Sequence, residues 1–317
     1  MKLLAFCAGI FLLSLAACGD SGNSSDRAKT LAATPTSEVA GAARTPVAAS
    51  VSCGTAQAHA AGEFDETVTS GGLTRDYILH VPPSYDDRNP APLVLLFHGF
   101  ALSGRTMLDY SALGKVADRE GVLVVAPTGT GDPHRWNSTS GGGGADDVLF
   151  VNDLLDVLEA QLCVDTERVF ATGYSNGGGM SMRLACDDSD RVKAVGLVAA
   201  TFLNCTPKVP LIAFHGIQDA LVGFEGGGTF PPIRDAVATW AEGLRCAAEP
   251  DVTKPTEHVE LSVYADCTPD GGAVQFYVVD GGGHSWPGAD LLSDAVATTQ
   301  EIDASELIWQ FFSGVQP

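Results

Sequence analysis

A doubly wound α/β fold on a mostly parallel sheet is what the sequence predicts, and three observations predict it. Short apolar runs recur along the chain at 77–81 (YILHV), 93–98 (LVLLFH), 122–127 (VLVVAP), 169–173 (VFATG), 195–200 (VGLVAA), 211–216 (LIAFHG) and 274–279 (VQFYVV). The later runs are nearly continuous rather than alternating, which is the pattern of parallel strands covered on both faces by crossover helices. Segments with helical spacing lie among them: DDVLFVNDLLDVLEAQL (146–162) opens with two aspartates, where a helix dipole favours negative charge, and ASELIWQFF (304–312) is amphipathic. With 45% hydrophobic residues and no internal repeat, the region 53–317 is expected to close around one core as a single domain.

The formal charge of −21 repels a polyanion at long range, so nucleic acid is excluded as a partner. The N-terminus, MKLLAFCAGIFLLSLAACGD, has one lysine, a short apolar stretch and then small residues, the build of a secretory signal over 1–17. Leu15-Ala16-Ala17-Cys18 resembles the bacterial lipobox, in which cleavage leaves Cys18 lipid-modified. Covalent acyl chains would tether the protein to a membrane, at about 0.8 kcal/mol per buried methylene; a plain signal peptide without a lipid is the alternative. Residues 18–52, rich in Ala, Ser, Thr, Pro and Gly, are expected to be a flexible linker. Cys7 leaves with the signal, so six cysteines remain beyond Cys18, an even set suited to disulfides in an oxidising compartment. Cys246 with Cys267 is the pair the sequence supports, because the two bracket a polar, proline-containing segment; the partners of the other four stay open.

The chemistry concentrates in FATGYSNGGGMS, which sets Ser175 between Gly173 and Gly177 where a buried run ends and a helix begins. Small neighbours permit a sharp turn that exposes a serine hydroxyl above the sheet. A hydroxyl is a weak nucleophile at neutral pH and needs a histidine base oriented by a carboxylate, and the α/β-hydrolase fold supplies them in the chain order Ser, acid, His. Asp219 follows the strand ending in His215-Gly216, and His284 stands in the glycine-rich turn DGGGHSWPG after the last apolar run. Other acids downstream, and His258, sit in polar stretches that read as solvated surface. The developing oxyanion needs backbone donors, assigned to the N–H of Asn176 and to the N–H of Phe100 in the His98-Gly99-Phe100 turn. His98 and His215 are read as structural. The loop HRWNSTSGGGGADDV (134–148) is read as a wall of the substrate pocket, with Trp136 and Trp286 as aromatic surfaces for a ring or a sugar, while Asp146 and Asp147 start a helix. About ten residues separate the run ending at Ala200 from the one after Pro210, so the α/β-hydrolase is expected to lack a lid domain.

LLFHG, WNSTSGGGGADDVLFV, CVDTERVFATGYSNGGGMS, FHGIQDALVGFEGG and GGGHSWPG, spread over 77–288, together resemble the secreted esterases of the polyhydroxybutyrate depolymerase and feruloyl esterase type. The resemblance implies a serine esterase with Ser175 as nucleophile, Asp219 as acid and His284 as base. One departure is His98-Gly99-Phe100, where many members of the family have H-G-C, so a disulfide that some of them make there is not expected. Another is the short stretch after the last predicted helix, so the separate substrate-binding domain of many polymer depolymerases is not expected.

The expectation is an exported, monomeric serine esterase acting on feruloyl or acetyl esters of polysaccharide or on 3-hydroxybutyrate oligomers, with no metal or organic cofactor. A serine peptidase of the same fold and a non-catalytic binding protein on a hydrolase scaffold are the rivals.

Overall fold

A computed structural model describes residues 53–54, 59–139, 143–188, 190–202, 205–228, 230–268, 272–291 and 296–315. The predicted leader 1–17, Cys18 and the linker to residue 52 lie outside them. The described strands are β1 (Gly62–Ser70), β2 (Leu73–Val81), β3 (Ala91–Phe97), β4 (Leu123–Pro127), β5 (Val164–Tyr174), β6 (Val195–Val198), β7 (Leu211–Gly216), β8 (Asp251–Thr253), β9 (Val259–Cys267) and β10 (Gly272–Val279). The helices are α1 (Gly104–Ser111), α2 (Leu113–Glu120), α3 (Asp147–Gln161), α4 (Asn176–Asp187), α5 (Ile233–Gly243) and α6 (Ala304–Ser313).

The strands form one sheet in the order β1-β2-β4-β3-β5-β6-β7-β10-β9-β8. Its middle, from β4 through β10, is parallel, and the pairs at either edge are antiparallel. Alternation along a strand sends side chains to opposite faces. On β3, Leu93, Leu95 and Phe97 join a core under α3, α4 and α5, while Val94 and Leu96 join one under α1, α2 and α6. That two-sided burial is why the central runs read as continuous apolar sequence. The chain leaves β3 toward β4 and leaves β5 toward β6, in opposite directions. A crevice therefore opens beyond the carboxyl ends of β3 and β5, where such sheets place their ligands. Only residues 199–210 lie between β6 and β7, so no lid domain is inserted there.

Three disulfides brace this frame. Cys53–Cys163 ties the segment before β1 to the start of β5, Cys186–Cys205 ties the end of α4 to the β6–β7 connection, and Cys246–Cys267 joins the chain after α5 to the end of β9. The last is the pair expected from sequence. The antiparallel edges were not expected: β1 (GEFDETVTS) is mostly exposed and acidic, so it lacks the apolar signature of a core strand and is held by its register with β2.

Two buried polar groups fix the carboxyl edge of the sheet. Asp146 caps α3 by accepting the Leu149 N–H at 3.0 Å, as its position predicts, whereas Asp147 turns inward and is fully buried. One Asp147 oxygen accepts from the Arg75 guanidinium at 2.8 Å and the other from the Asn137 N–H at 2.7 Å. Arg75 also lies over the Phe150 ring, 3.8 Å from its centroid. His98, equally buried, donates from Nδ1 to the Gly99 carbonyl at 2.7 Å and accepts the Gly129 N–H on Nε2 at 2.9 Å, which locks the exit of β3 to the exit of β4. Burial holds its pKa down at about 4, against a hydrogen bond that favours the charged form.

Asp147→Ala strands the Arg75 charge, and urea unfolding should show a loss of about 3–5 kcal/mol, with a smaller loss for the double variant Arg75→Met/Asp147→Leu. The unfolded chain takes up the His98 proton near 6.5 and the folded chain only near 4, so folding stability should fall as pH drops through that interval. The difference between wild type and His98→Gln in that pH slope should integrate to roughly 3 kcal/mol by pH 4; an identical slope in both would contradict the buried neutral imidazole.

Candidate active site

Ser175 occupies the single residue between β5 and α4, with φ 54° and ψ −119°, a positive-φ conformation that a residue with a side chain rarely adopts. Two close approaches enforce it. A Cβ on Gly173 would lie 2.4 Å from the Gly177 carbonyl carbon, and one on Gly177 would lie 2.2 Å from the Phe97 carbonyl oxygen. Any other residue at either position would push α4 off the sheet and relax the turn. The main chain of Ser175 is tied on both sides: its N–H donates to Val198 at 2.9 Å, and its carbonyl accepts the Gly179 N–H at 3.0 Å as the first bond of α4. The side chain is left half-buried at the amino end of a twelve-residue helix, on the crevice side of the sheet.

Asp219 lies three residues beyond β7 with its carboxylate fully withdrawn from solvent. One oxygen accepts the N–H groups of Leu221 and Val222 at 2.9 and 2.8 Å, and the other meets His284 Nδ1 at 2.8 Å. Burial alone would raise its pKa, but the bonds from His284 and from the two amides outweigh it and hold the group below the ordinary carboxylate range. Asp219 is therefore an anion, and His284 Nδ1 carries the proton between them. His215, on β7, donates from Nε2 to the Val222 carbonyl at 2.8 Å, and burial lowers its pKa. It buttresses the Asp219 turn, consistent with a structural histidine. The His284 turn is pinned by bonds from Gln218 N–H to the Gly282 carbonyl at 2.9 Å and from Gly283 N–H to the Ala297 carbonyl at 2.8 Å.

Phe100 and Asn176 follow β3 and Ser175, on either side of the crevice. Among the described residues, no acceptor takes the backbone N–H of Phe100 or of Asn176. The Phe100 ring is 55% exposed. The Asn176 side chain accepts the Trp136 N–H at 2.7 Å and donates to the Ser138 hydroxyl at 3.2 Å, while the Ala101 N–H donates to the His134 carbonyl at 2.9 Å. The start of the 134–148 loop is thus laced to both turns. Its residues Arg135, Trp136, Asn137 and Ser138 wall a cavity of about 210 Å³.

The two tryptophans require a correction. Trp136 is 3% exposed and Trp286 is fully buried, so neither offers a ring face to a bound molecule. Trp136 packs edge-on to Phe97 and donates from Nε1 to the His98 carbonyl at 2.9 Å, supporting the turn that carries Phe100. Trp286 donates from Nε1 to the Ser305 hydroxyl at 3.1 Å, anchoring the His284 turn on α6. Each sits beside a polar loop in sequence, and only the packing of α3 and α6 shows that its ring points the other way. Two features escaped the sequence reading: the buried Arg75, which looks like an ordinary strand arginine, and Tyr174, hidden inside the serine motif. Among the described residues no cluster of three or more His, Cys, Asp or Glu side chains is placed to hold a metal ion.

The sequence pattern of the family described as "Esterase PHB depolymerase" matches residues 75–214, a stretch that contains Ser175. Feruloyl esterase B of Piromyces equi is 28% identical over 231 residues, 67% of this chain but only 42% of that protein. A probable feruloyl esterase C of Aspergillus terreus is 26% identical over 253 residues, 76% of this chain and 84% of that one. In fold, the chain is similar to an acetyl xylan esterase from Aspergillus awamori, with a TM-score of 0.59 at 14% identity over 71% of this chain and 94% of that one. Fold and sequence agree: the chain has an α/β-hydrolase fold and is similar to the polyhydroxybutyrate depolymerase and feruloyl esterase-type esterases.

Proposed function

We propose that the chain is an exported serine esterase in which Ser175 attacks the ester carbonyl, His284 is the base and Asp219 orients it. The observation that carries this reading is the buried, ionised Asp219 bonded at 2.8 Å to His284 on the same sheet edge as the strained Ser175 turn. In the first half-reaction the Ser175 Oγ–acyl bond forms, and His284 Nε2 takes the hydroxyl proton and delivers it to the departing alkoxide as the ester C–O bond breaks. Water, deprotonated by the same imidazole, then cleaves the acyl-enzyme and regenerates the serine. The backbone N–H groups of Phe100 and Asn176 would bond the tetrahedral oxyanion, aided by the amino end of α4.

Feruloyl or acetyl esters of polysaccharide are the substrates this reading favours over 3-hydroxybutyrate oligomers. The named relatives support it, as does the cavity walled by the 134–148 loop, whose lining includes the polar residues Thr130, Asn137, Ser138 and Thr139, a composition that suits a sugar alcohol. Three disulfides support passage through an oxidising compartment. The leader 1–17, lipid attachment at Cys18, the linker 18–52 and a catalytic domain 53–317 complete the proposal on the strength of the sequence pattern.

The test is hydrolysis of methyl ferulate, p-nitrophenyl acetate and butyrate, and 3-hydroxybutyrate dimer and trimer by wild type, Ser175→Ala and Asp219→Asn. Methyl ferulate or the acetyl ester should be preferred, with kcat lowered by about 10³-fold or more in Ser175→Ala and by about 10²-fold or more in Asp219→Asn. Undiminished turnover by Ser175→Ala would sink the mechanism, and preference for the hydroxybutyrate oligomers would overturn the substrate assignment.

A further inference from the structure

Tyr174 precedes Ser175 in the chain and touches both the His284 turn and the turn that carries Phe100. Its main chain is the last residue of β5, paired with Val198 on β6, so its position is as rigid as the centre of the sheet. From there the side chain reaches in three directions. The hydroxyl donates to the main-chain carbonyl of His284 at 2.7 Å. The ring lies 4.9 Å from the His284 imidazole, centroid to centroid, tilted by 44°. On the opposite side the ring presses on the turn that carries Phe100, so closely that a Cβ on Gly99 would sit 2.8 Å from Tyr174 Cδ1. The contact extends one residue deeper: the Tyr110 ring meets Tyr174 edge-on at 5.5 Å, and the Tyr110 hydroxyl accepts the Trp286 N–H at 2.9 Å. The His284 turn is therefore held at His284 by one phenol and at Trp286 by the other.

We propose that Tyr174 is a positioning residue that sets the spacing between Ser175, the His284 imidazole and the Phe100 turn. The inference rests on the serine-esterase reading above. Nucleophile and base come from segments 109 residues apart in the chain, and no covalent link fixes their separation. The residue immediately before the nucleophile is the shortest available connection, because its backbone cannot shift without moving Ser175. Its hydroxyl carries the proton that the His284 carbonyl needs, and burial raises its pKa, so the donor persists through the neutral range. A glycine at 99 makes room for the ring, which then spaces the oxyanion turn from the histidine turn. Displacements of about 1 Å between reacting groups cost on the order of 10²-fold in rate, so a spacer of this kind acts on turnover rather than on substrate affinity.

Tyr174→Phe keeps the ring and removes the donor. It should lower kcat for p-nitrophenyl acetate by about 10- to 100-fold with KM within about twofold. It should lower by a similar factor the rate at which a fluorophosphonate labels Ser175, a step that forms the Oγ–P bond, expels fluoride and needs His284 to take the serine proton. Tyr110→Phe, which lies outside the reacting groups, should give a several-fold kcat loss with the same KM behaviour, and it decides the matter if Tyr174→Phe does not fold. Wild-type kcat and labelling rate in folded Tyr174→Phe, or a rise in KM with kcat intact, would overturn the proposal. Ser175→Ala run alongside separates the two levels. If it stays active, the esterase mechanism itself is wrong; if it is inactive while Tyr174→Phe is normal, only the positioning role falls.

Discussion

The main chain at Gly173 and Gly177 packs against its neighbours so closely that a methyl group at either position would stand 2.4 Å or less from backbone atoms, and this contact seats α4 on the sheet. With the helix seated, the one residue between β5 and α4 has to reverse the chain, and Ser175 takes a positive φ to do so. Strain of this kind costs of order 1–3 kcal/mol and persists only where surrounding structure over-determines it. Here the over-determination is visible: the Ser175 N–H is held by β6, its carbonyl by α4, and the flanking glycines by β3 and by each other. The remaining parts of the site are arranged around a serine that cannot move.

Charge inside the molecule follows a single rule. Asp147 and Asp219 are both buried and both satisfied, the first by a guanidinium and an amide, the second by a histidine and two amides. Each holds together segments far apart in sequence, one joining β2 to the 134–148 loop and the other joining the turns after β7 and β10. His98 and His215 take the complementary part: desolvation lowers the pKa of each, and they serve as paired donor and acceptor at His98 and as a donor at His215. An interior organised this way stays compatible with the surface charge that gives the chain its net −21, because surface carboxylates are screened while the interior ones are bonded.

The edges of the sheet and the loops at its carboxyl end obey different constraints. Strands β1, β8 and β9 are polar and antiparallel, and the disulfides at Cys163 and Cys267 sit where the core strands meet these less buried segments. The loops after β3, β4, β5, β7 and β10 converge on the crevice and are tied to one another by main-chain carbonyls: His98 to Trp136, His134 to Ala101, Gly282 to Gln218, and His284 to Tyr174. These bonds make a nearly closed ring around Ser175, built without a lid between β6 and β7.

By itself the sequence determined the parallel centre of the sheet, the helices at 146–162 and 304–312, the Cys246–Cys267 pair, and Ser175, Asp219 and His284 as residues on strand-end turns in a fixed order. These are local signals: continuous apolar runs, helical spacing, and glycines flanking a serine are written in adjacent residues. The exposed edge strand β1, the partners of Cys53 and Cys186, the buried pair of Arg75 and Asp147, and the inward faces of Trp136 and Trp286 were decided only by the tertiary structure. Each of these depends on what a distant segment places opposite the residue, and the same side chain beside the same neighbours reads as exposed or buried until α3, α6 and the strands have closed over it. Tyr174 shows the point most sharply, since its place in the serine motif marks it as filler, and only the approach of Gly99 and of the His284 carbonyl, from segments 75 and 110 residues away, reveals what its ring and hydroxyl touch.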